Sequence, residues 1–232
     1  MKRIGVLGGM SPQATMDFEV RVHRAAQRLI PQDWNRGYPP MVVWYHRDLP
    51  VRRGDDGRPL EPRQIDPSLL EAAARIGALA DFLVVPCNAA HVGLDELRRA
   101  AARPVLSLID VVIDEVVRRG CRRAGVLGAF GAPPPYVEAL AGRGVLVERI
   151  DARLQAPVDA GIQAVMEGRE AKEHTAAART AVDELRARGV DAVVLGCTEI
   201  PLLLGDERDA PDLIDPAALL ADAAVRFSIA AT

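Results

Sequence analysis

Seven short apolar runs alternate with longer stretches of helical periodicity along this chain, and that alternation restricts it to one broad architecture. The runs are Arg3–Leu7, Met41–Tyr45, Phe82–Pro86, Val105–Leu108, Ala124–Leu127, Leu146–Ile150 and Ala192–Leu195. The third and last are Val- and Leu-rich and non-alternating, the pattern of strands buried on both faces. Strands of this kind separated by helices predict an α/β fold with mainly parallel sheets. Asp66-Pro67-Ser68 opens one helix with a capping side chain and a proline at the first helical position. Its apolar face is Leu69, Leu70, Ala73, Ile76 and Leu79. The charged, alanine-rich stretch from Arg169 to Arg188 predicts another helix, and Asp215-Pro216 starts a last one running to about Phe227.

The chain also echoes itself. Arg3-Ile4-Gly5-Val6-Leu7-Gly8 returns as Arg123-Ala124-Gly125-Val126-Leu127-Gly128, and Gly77–Asp81 returns as Arg188–Asp191. At 232 residues the chain is long enough for two domains of roughly 100–120 residues, each with its own core. The expected arrangement is two similar doubly wound parallel-sheet lobes related by a pseudo-twofold axis, with the active site between them. Residues 1–110, joined by a C-terminal helix at 212–232, make the first lobe. Residues 111–211 make the second, and the segment around Pro104–Arg119 is the crossover. A strand ending in glycine before a helix is common in any α/β protein, so the repeat takes its weight from the cysteines.

Cys87 and Cys197 each follow one of the buried-strand runs, in Val85-Pro86-Cys87-Asn88-Ala89-Ala90-His91 and Leu195-Gly196-Cys197-Thr198-Glu199-Ile200-Pro201. In a parallel sheet the carboxyl ends of the strands form the ligand crevice, so a residue just past the strand faces it. Each cysteine precedes the expected start of a helix, where the dipole and unpaired N–H groups favour a thiolate. That help matters, because an unperturbed thiol with a pKa of ~8.5 is only slightly ionised at pH 7. A single strand-end cysteine reads as a small hydrophobe. Two at matching places suit an acid and a base acting on opposite faces of a substrate.

Other residues near these runs carry more than one reading. His91, one helical turn after Cys87, suits contact with the thiol, helix capping or a core position. Glu199 suits orienting a thiol or matching the helix dipole. The turn Gly8-Gly9-Met10-Ser11-Pro12-Gln13-Ala14-Thr15 suits close backbone approach and a bound anion such as a carboxylate. His46, Arg47, Asp48 and Arg52 line the crevice mouth or are exposed loop charges. Cys121, among Arg118, Arg119, Arg122 and Arg123, stands outside any such context and reads as a bystander.

Several function classes are excluded. A net charge of -3 and 4% aromatics give no basic or base-stacking surface for nucleic acid and none for an anionic membrane. Three cysteines, an odd number, argue against a disulfide framework and for a reducing compartment. The first apolar run stops at Gly8-Gly9, too short for a signal segment, and no run approaches the ~20 residues of a membrane span. The expectation is a cytoplasmic protein. No dinucleotide fingerprint, Walker motif, zinc-spaced cluster or G-x-S-x-G elbow appears.

Pro86-Cys87-Asn88-Ala89-Ala90-His91 and Gly196-Cys197-Thr198-Glu199-Ile200-Pro201 resemble the motifs of the aspartate/glutamate racemase superfamily. The opening Ile4–Pro12 with Thr15, and Leu213-Ile214-Asp215-Pro216, resemble its aspartate racemase branch. The resemblance covers essentially the whole chain in order. It implies a racemase without a cofactor, usually a homodimer, acting on aspartate or another amino acid. Cys87 and Cys197 would be its acid/base pair, removing the α-proton from one face and returning one to the other, and titrating as a unit. Asn88 and Thr198 match residues that hold the substrate carboxylate, Met10 matches a pocket wall, and Glu199 joins them in the substrate site. Arg52 matches the family's arginine after the second strand.

Three departures bear on the substrate. Ala89 replaces a threonine. The turn Ala129–Pro135 is less polar than the family's. Glu167 aligns with a lysine that meets the side-chain carboxylate of aspartate, a change of sign that disfavours an acidic side chain. Competing readings are a related isomerase acting on maleate or a hydantoin, or a non-catalytic small-molecule binder on the same scaffold. A single-cysteine decarboxylase fits poorly with the intact pair. A thiol redox sensor would need the two Cα atoms within ~7 Å.

Overall fold

β1 (Ile4–Gly8) has no polar side chain and is buried along its whole length, which requires a neighbour on each edge and a layer on each face. It lies inside a four-stranded parallel sheet of order β2-β1-β3-β4, with β2 at Met41–Tyr45, β3 at Phe82–Val84 and β4 at Val105–Leu106. The computed structural model describes residues 1–55, 59–129, 135–169 and 174–230. Helices α1 (Pro12–Leu29), α2 (Pro67–Gly77) and α3 (Leu94–Ala101) connect these strands. After α4 (Leu108–Arg118) the pattern repeats. β5 (Arg123–Leu127), β6 (Leu146–Glu148), β7 (Ala192–Leu195) and β8 (Leu213–Ile214) form a second parallel sheet of order β6-β5-β7-β8. Its helices are α5 (Tyr136–Ala141), α6 (Ala152–Met166), α7 (Thr175–Ala187) and α8 (Ile200–Leu204), and α9 (Pro216–Ile229) closes the chain.

The two sheets are wound identically, each with its first strand inside and its second at the edge, so the molecule is built of two similar α/β lobes. The echoed glycines explain why the repeat is kept in β1 and β5. A Cβ on Gly5 would stand 2.9 Å from Ala80 Cβ, and one on Gly125 would stand 3.1 Å from Leu185 Cδ1. In both lobes the covering layer approaches the inner strand closely at the echoed glycine.

One compact unit comprises Met1–Leu108 and Ala217–Thr232, the other Ile109–Pro216. The first has a core of Leu7, Leu69, Ile76, Leu83, Val85 and Leu97, with Phe227 of α9 against Phe82 at 4.6 Å between ring centres. Ser228 Oγ also donates to the Lys2 carbonyl at 2.6 Å. The second packs Leu127, Val158, Ile162, Leu185, Val193, Leu195 and Leu203.

Some element edges differ from the sequence-based expectation. β4 stops at Leu106 rather than Leu108, because Leu108 is already the first residue of α4. β6 stops at Glu148 rather than Ile150. α2 ends at Gly77, so Leu79 falls outside the helix and is 52% exposed instead of completing its apolar face. There the chain turns toward β3, with Asp81 N–H donating to the Arg3 carbonyl at 3.0 Å. The helix expected over 169–188 is α7 at Thr175–Ala187, and residues 170–173 lie outside the described set. Most of the turn expected at Ala129–Pro135, residues 130–134, also lies outside it. β8 is an eighth strand absent from the sequence reading. No described helix is long and apolar enough to cross a membrane.

Candidate active site

In the first lobe the expected site residues leave the sheet at one edge. The β1–β2 register pairs Gly8 with Tyr45, and the β1–β3 register pairs Val6 with Val84. Gly9–Ser11, His46 and Val85–Asn88 therefore all emerge from the carboxyl ends of adjacent parallel strands. Cys87 is half-buried against the first core in extended backbone, and it begins a 3-10 turn over Asn88–Gly93 that leads into α3. A regular α-helix was expected directly after Cys87. The 3-10 turn stands there instead, and α3 starts only at Leu94.

His91 occupies a buried position and braces two stretches of backbone. It is 8% exposed, and its Nε2 accepts from the Leu108 N–H at 3.0 Å. That nitrogen is therefore unprotonated, so Nδ1 carries the hydrogen and donates to the Cys87 carbonyl at 3.0 Å. The imidazole is neutral and ties the backbone of Cys87 to the first turn of α4. Asn88 is buried and Ala89 half-buried beside it.

The β1–α1 turn is held from within. Thr15 Oγ1 accepts from Gly9 N–H at 2.8 Å and donates to the Ser11 carbonyl at 2.9 Å. Gly9 has φ +86°, and a Cβ there would stand 2.4 Å from Tyr45 Cα, so both conformation and space demand glycine. Met10 packs partly buried on the first core. Ser11 caps α1 without a side-chain cap bond, and its buried Oγ has no hydrogen-bond partner among the described residues.

Around the second strand, His46 is buried with Nε2 3.5 Å from Ser68 Oγ, while Arg47, Asp48 and Arg52 are exposed. Hydrogen bonding from Ser68 holds the Asp66 carboxyl below its ordinary range as it caps α2. Arg52 Nη1 donates to Gln64 Oε1 at 3.0 Å on a two-stranded loop.

The second lobe repeats the placement with different chemistry. Gly196 N–H donates to the Leu127 carbonyl at 2.7 Å, carrying the β5–β7 ladder one residue past the strand to Cys197. Cys197 is half-buried against the second core, and its Sγ donates to Glu199 Oε2 at 2.8 Å. Thr198 Oγ1 donates to the same oxygen at 3.3 Å. Thr198 and Glu199 are both buried, and α8 begins only at Ile200. Glu167 lies at the end of α6, where its carboxylate accepts from Gln163 Nε2 and Arg169 Nε, each at 2.7 Å. Both bonds, Gln163 first, hold its carboxyl below the ordinary range. Cys121 is buried, and burial followed by the Asp191 carboxylate pushes its thiol up. That shift disfavours the thiolate, the reactive form.

Sequence reasoning missed Gln155. It is buried in α6 and donates to the Gly128 carbonyl at 3.0 Å, just past β5, and to Asp159 Oδ1 at 2.7 Å. Its place four residues after the helix-capping Asp151 was the one available signal.

Residues 7–224 match the Asp/Glu/hydantoin racemase family model. The chain is 27% identical over 230 residues to the broad specificity amino-acid racemase RacX of Bacillus subtilis (strain 168), covering 98% of each. The fold is similar to that of Picrophilus torridus aspartate racemase, with a TM-score of 0.77 at 20% identity over 98% of this chain and 94% of that one. It is also similar to the glutamate racemase of Francisella tularensis in complex with D-glutamate. There the TM-score is 0.55 at 16% identity, over 100% of this chain and 84% of that one.

Proposed function

The chain belongs to the Asp/Glu/hydantoin racemase family, and from that premise we propose that it is an amino-acid racemase in which Cys87 and Cys197 form the acid/base pair. The observation that carries this reading is the equivalence of the two thiols. Each is half-buried just past the third strand of its own lobe, in two sheets wound in the same order. One sulfur, as thiolate, takes the α-proton of the substrate, and the other, as thiol, delivers its proton to the opposite face of Cα. Reversal exchanges the roles, so one proton is shared by a pair that titrates together. Both thiols and their proton belong to the chain, so the step needs no cofactor.

Buried Asn88 and Thr198 are the polar groups proposed to meet the substrate carboxylate and the charge that develops at Cα. The β1–α1 turn, with Met10 as wall and the buried Ser11 hydroxyl, is a further polar contact for the ligand. Ala89 and Glu167, where the aspartate branch has threonine and lysine, favour a substrate range wider than aspartate. The breadth named for the Bacillus relative supports the same choice. Arg52, on its exposed loop, is the cation available to an acidic side chain.

The test is α-proton exchange. The reduced protein is incubated in deuterated water with single-enantiomer amino acids, aspartate among them, and with a hydantoin. Loss of the α-proton signal by NMR, with inversion on chiral analysis, names the substrate. Cys87→Ser and Cys197→Ser are each expected to lower exchange by several orders of magnitude with the fold intact. Near-native turnover in either variant removes the two-thiol mechanism. Silence across the panel removes the racemase reading.

A further inference from the structure

We propose that Glu199 is a positioning residue that keeps a proton on Cys197 in the resting enzyme, so that Cys197 waits as the acid and Cys87 as the base. This rests on the acid/base reading of the two thiols. Cys197 Sγ and Glu199 Oε2 are 2.8 Å apart with the sulfur as donor, and Thr198 Oγ1 adds a second bond to that oxygen. Glu199 is 4% exposed, so water does little to screen its charge. Removing the thiol proton would set a thiolate against a carboxylate across that distance, and each charge would disfavour the other. The contact has the sulfur as donor and the carboxylate as acceptor, the arrangement that leaves the proton on Cys197.

The sequence differs at the matching place in the first lobe. Two residues after Cys87, where Glu199 stands in the second lobe, the chain has Ala89, which carries no charge. The lobes match in strand order and thiol placement and differ in the charge carried two residues after each thiol.

The asymmetry has a consequence for turnover. In the forward step the Cα–H bond breaks and its proton forms the Cys87 S–H bond. The Cys197 S–H bond breaks and its proton joins Cα on the other face. Charge is conserved, and the enzyme is left with a Cys197 thiolate beside the Glu199 carboxylate, its less favourable form. The two enantiomers therefore meet unequal populations of their competent enzyme form.

Site-resolved alkylation tests this without a substrate. The folded full chain is treated with iodoacetamide at pH 7, and each cysteine peptide is followed by mass spectrometry. Because thiolate fraction changes about tenfold per pKa unit, Cys87 is expected to react at least ~10-fold faster than Cys197. Glu199→Gln is expected to speed Cys197 by ~10-fold or more and to leave Cys87 within about twofold. Glu199→Asp, which restores the carboxylate, is expected to keep Cys197 slow. A Cys197 rate unchanged by Glu199→Gln, or a Cys197 that is as fast as Cys87 in the native protein, overturns the inference. Buried Cys121 reports on the fold, and if it too becomes fast in the Gln variant, the native ratio alone decides. Absent α-proton exchange with unequal thiols would sink the racemase reading, whereas equal thiols with intact exchange would sink only the role of Glu199.

Discussion

His91 shows how a histidine one turn from a cysteine is assigned by its partners rather than by proximity. Its two ring nitrogens face a backbone N–H and a backbone carbonyl, which together admit a single neutral tautomer. Its work is to tie the Cys87 carbonyl to the Leu108 N–H at the start of α4, 17 residues on from His91 itself. His91→Ala deletes the acceptor of a buried N–H and the donor to a carbonyl. The expected loss is about 1–3 kcal/mol of stability in urea unfolding, given the cost of leaving buried groups unsatisfied. A smaller loss would mean that water replaces the imidazole. The same scale separates the three cysteines. Two meet the carboxyl edges of their sheets, and the third is buried with the Asp191 carboxylate nearby, which discourages ionisation.

At the scale of elements, the carboxyl edge of the first sheet depends on how closely its connections approach one another. The β1–α1 turn runs against the end of β2, and Gly9 is the point of contact. Gly9→Ala combines a positive φ with a Cβ inside the backbone of Tyr45 and His46. It is expected to cost about 1–3 kcal/mol or more through strain and overpacking. A lowered urea midpoint with an unchanged m-value would place the damage in stability alone. Substitution at Gly120, which also has positive φ but nothing within 4 Å of its Cβ, separates strain from crowding.

Across the whole molecule, stability is tied to carboxylates held ionised by the fold. Glu115, near the end of α4, takes hydrogen bonds from Arg118 and Arg119, and Arg119 reaches on to the Pro211 carbonyl at 2.7 Å. The Arg118 bond, followed by those of Arg119, lowers the Glu115 carboxyl from 4.5 to about 2 against the opposing effect of burial. Asp212, bonded to Arg186, is lowered in the same direction. The sign follows from the depressed value. Above pH 4.5 both folded and unfolded chains have Glu115 ionised and its stabilisation is fully present. As pH falls from there toward about 2, the unfolded chain takes up the proton first and the stabilisation is lost. Glu115 is 13% exposed but Arg118 is 71% exposed. Screening at that arginine therefore limits the contribution to about 1–2 kcal/mol. Glu115→Gln is expected to lower stability by that amount at pH 7 and to flatten its fall below pH 4.5, as read by thermal unfolding across pH.

The alternation of strands and helices, the inner strands β1, β3, β5 and β7, and the placement of both thiols at strand ends were legible in the chain itself. Each is a local pattern: a buried parallel strand must be a short unbroken apolar run, and the residue after it must leave the sheet at the carboxyl edge. The short strands β4 and β8, two residues each, carry no periodicity and exist only because β3 and β7 offer them an edge. Leu79 looked like a helix-face residue because spacing cannot register that α2 stops at Gly77. The tautomer of His91 waited on Leu108, and the placement of Gln155 waited on Gly128, partners far off in the chain. For Glu199 the sequence left two readings open, and the fold places its carboxylate 2.8 Å from Cys197 Sγ as well as at the start of α8. Local sequence determines which elements form and where reactive groups enter the site. Tertiary structure decides which groups meet, because that depends on distances of a few ångströms between atoms that local patterning does not relate.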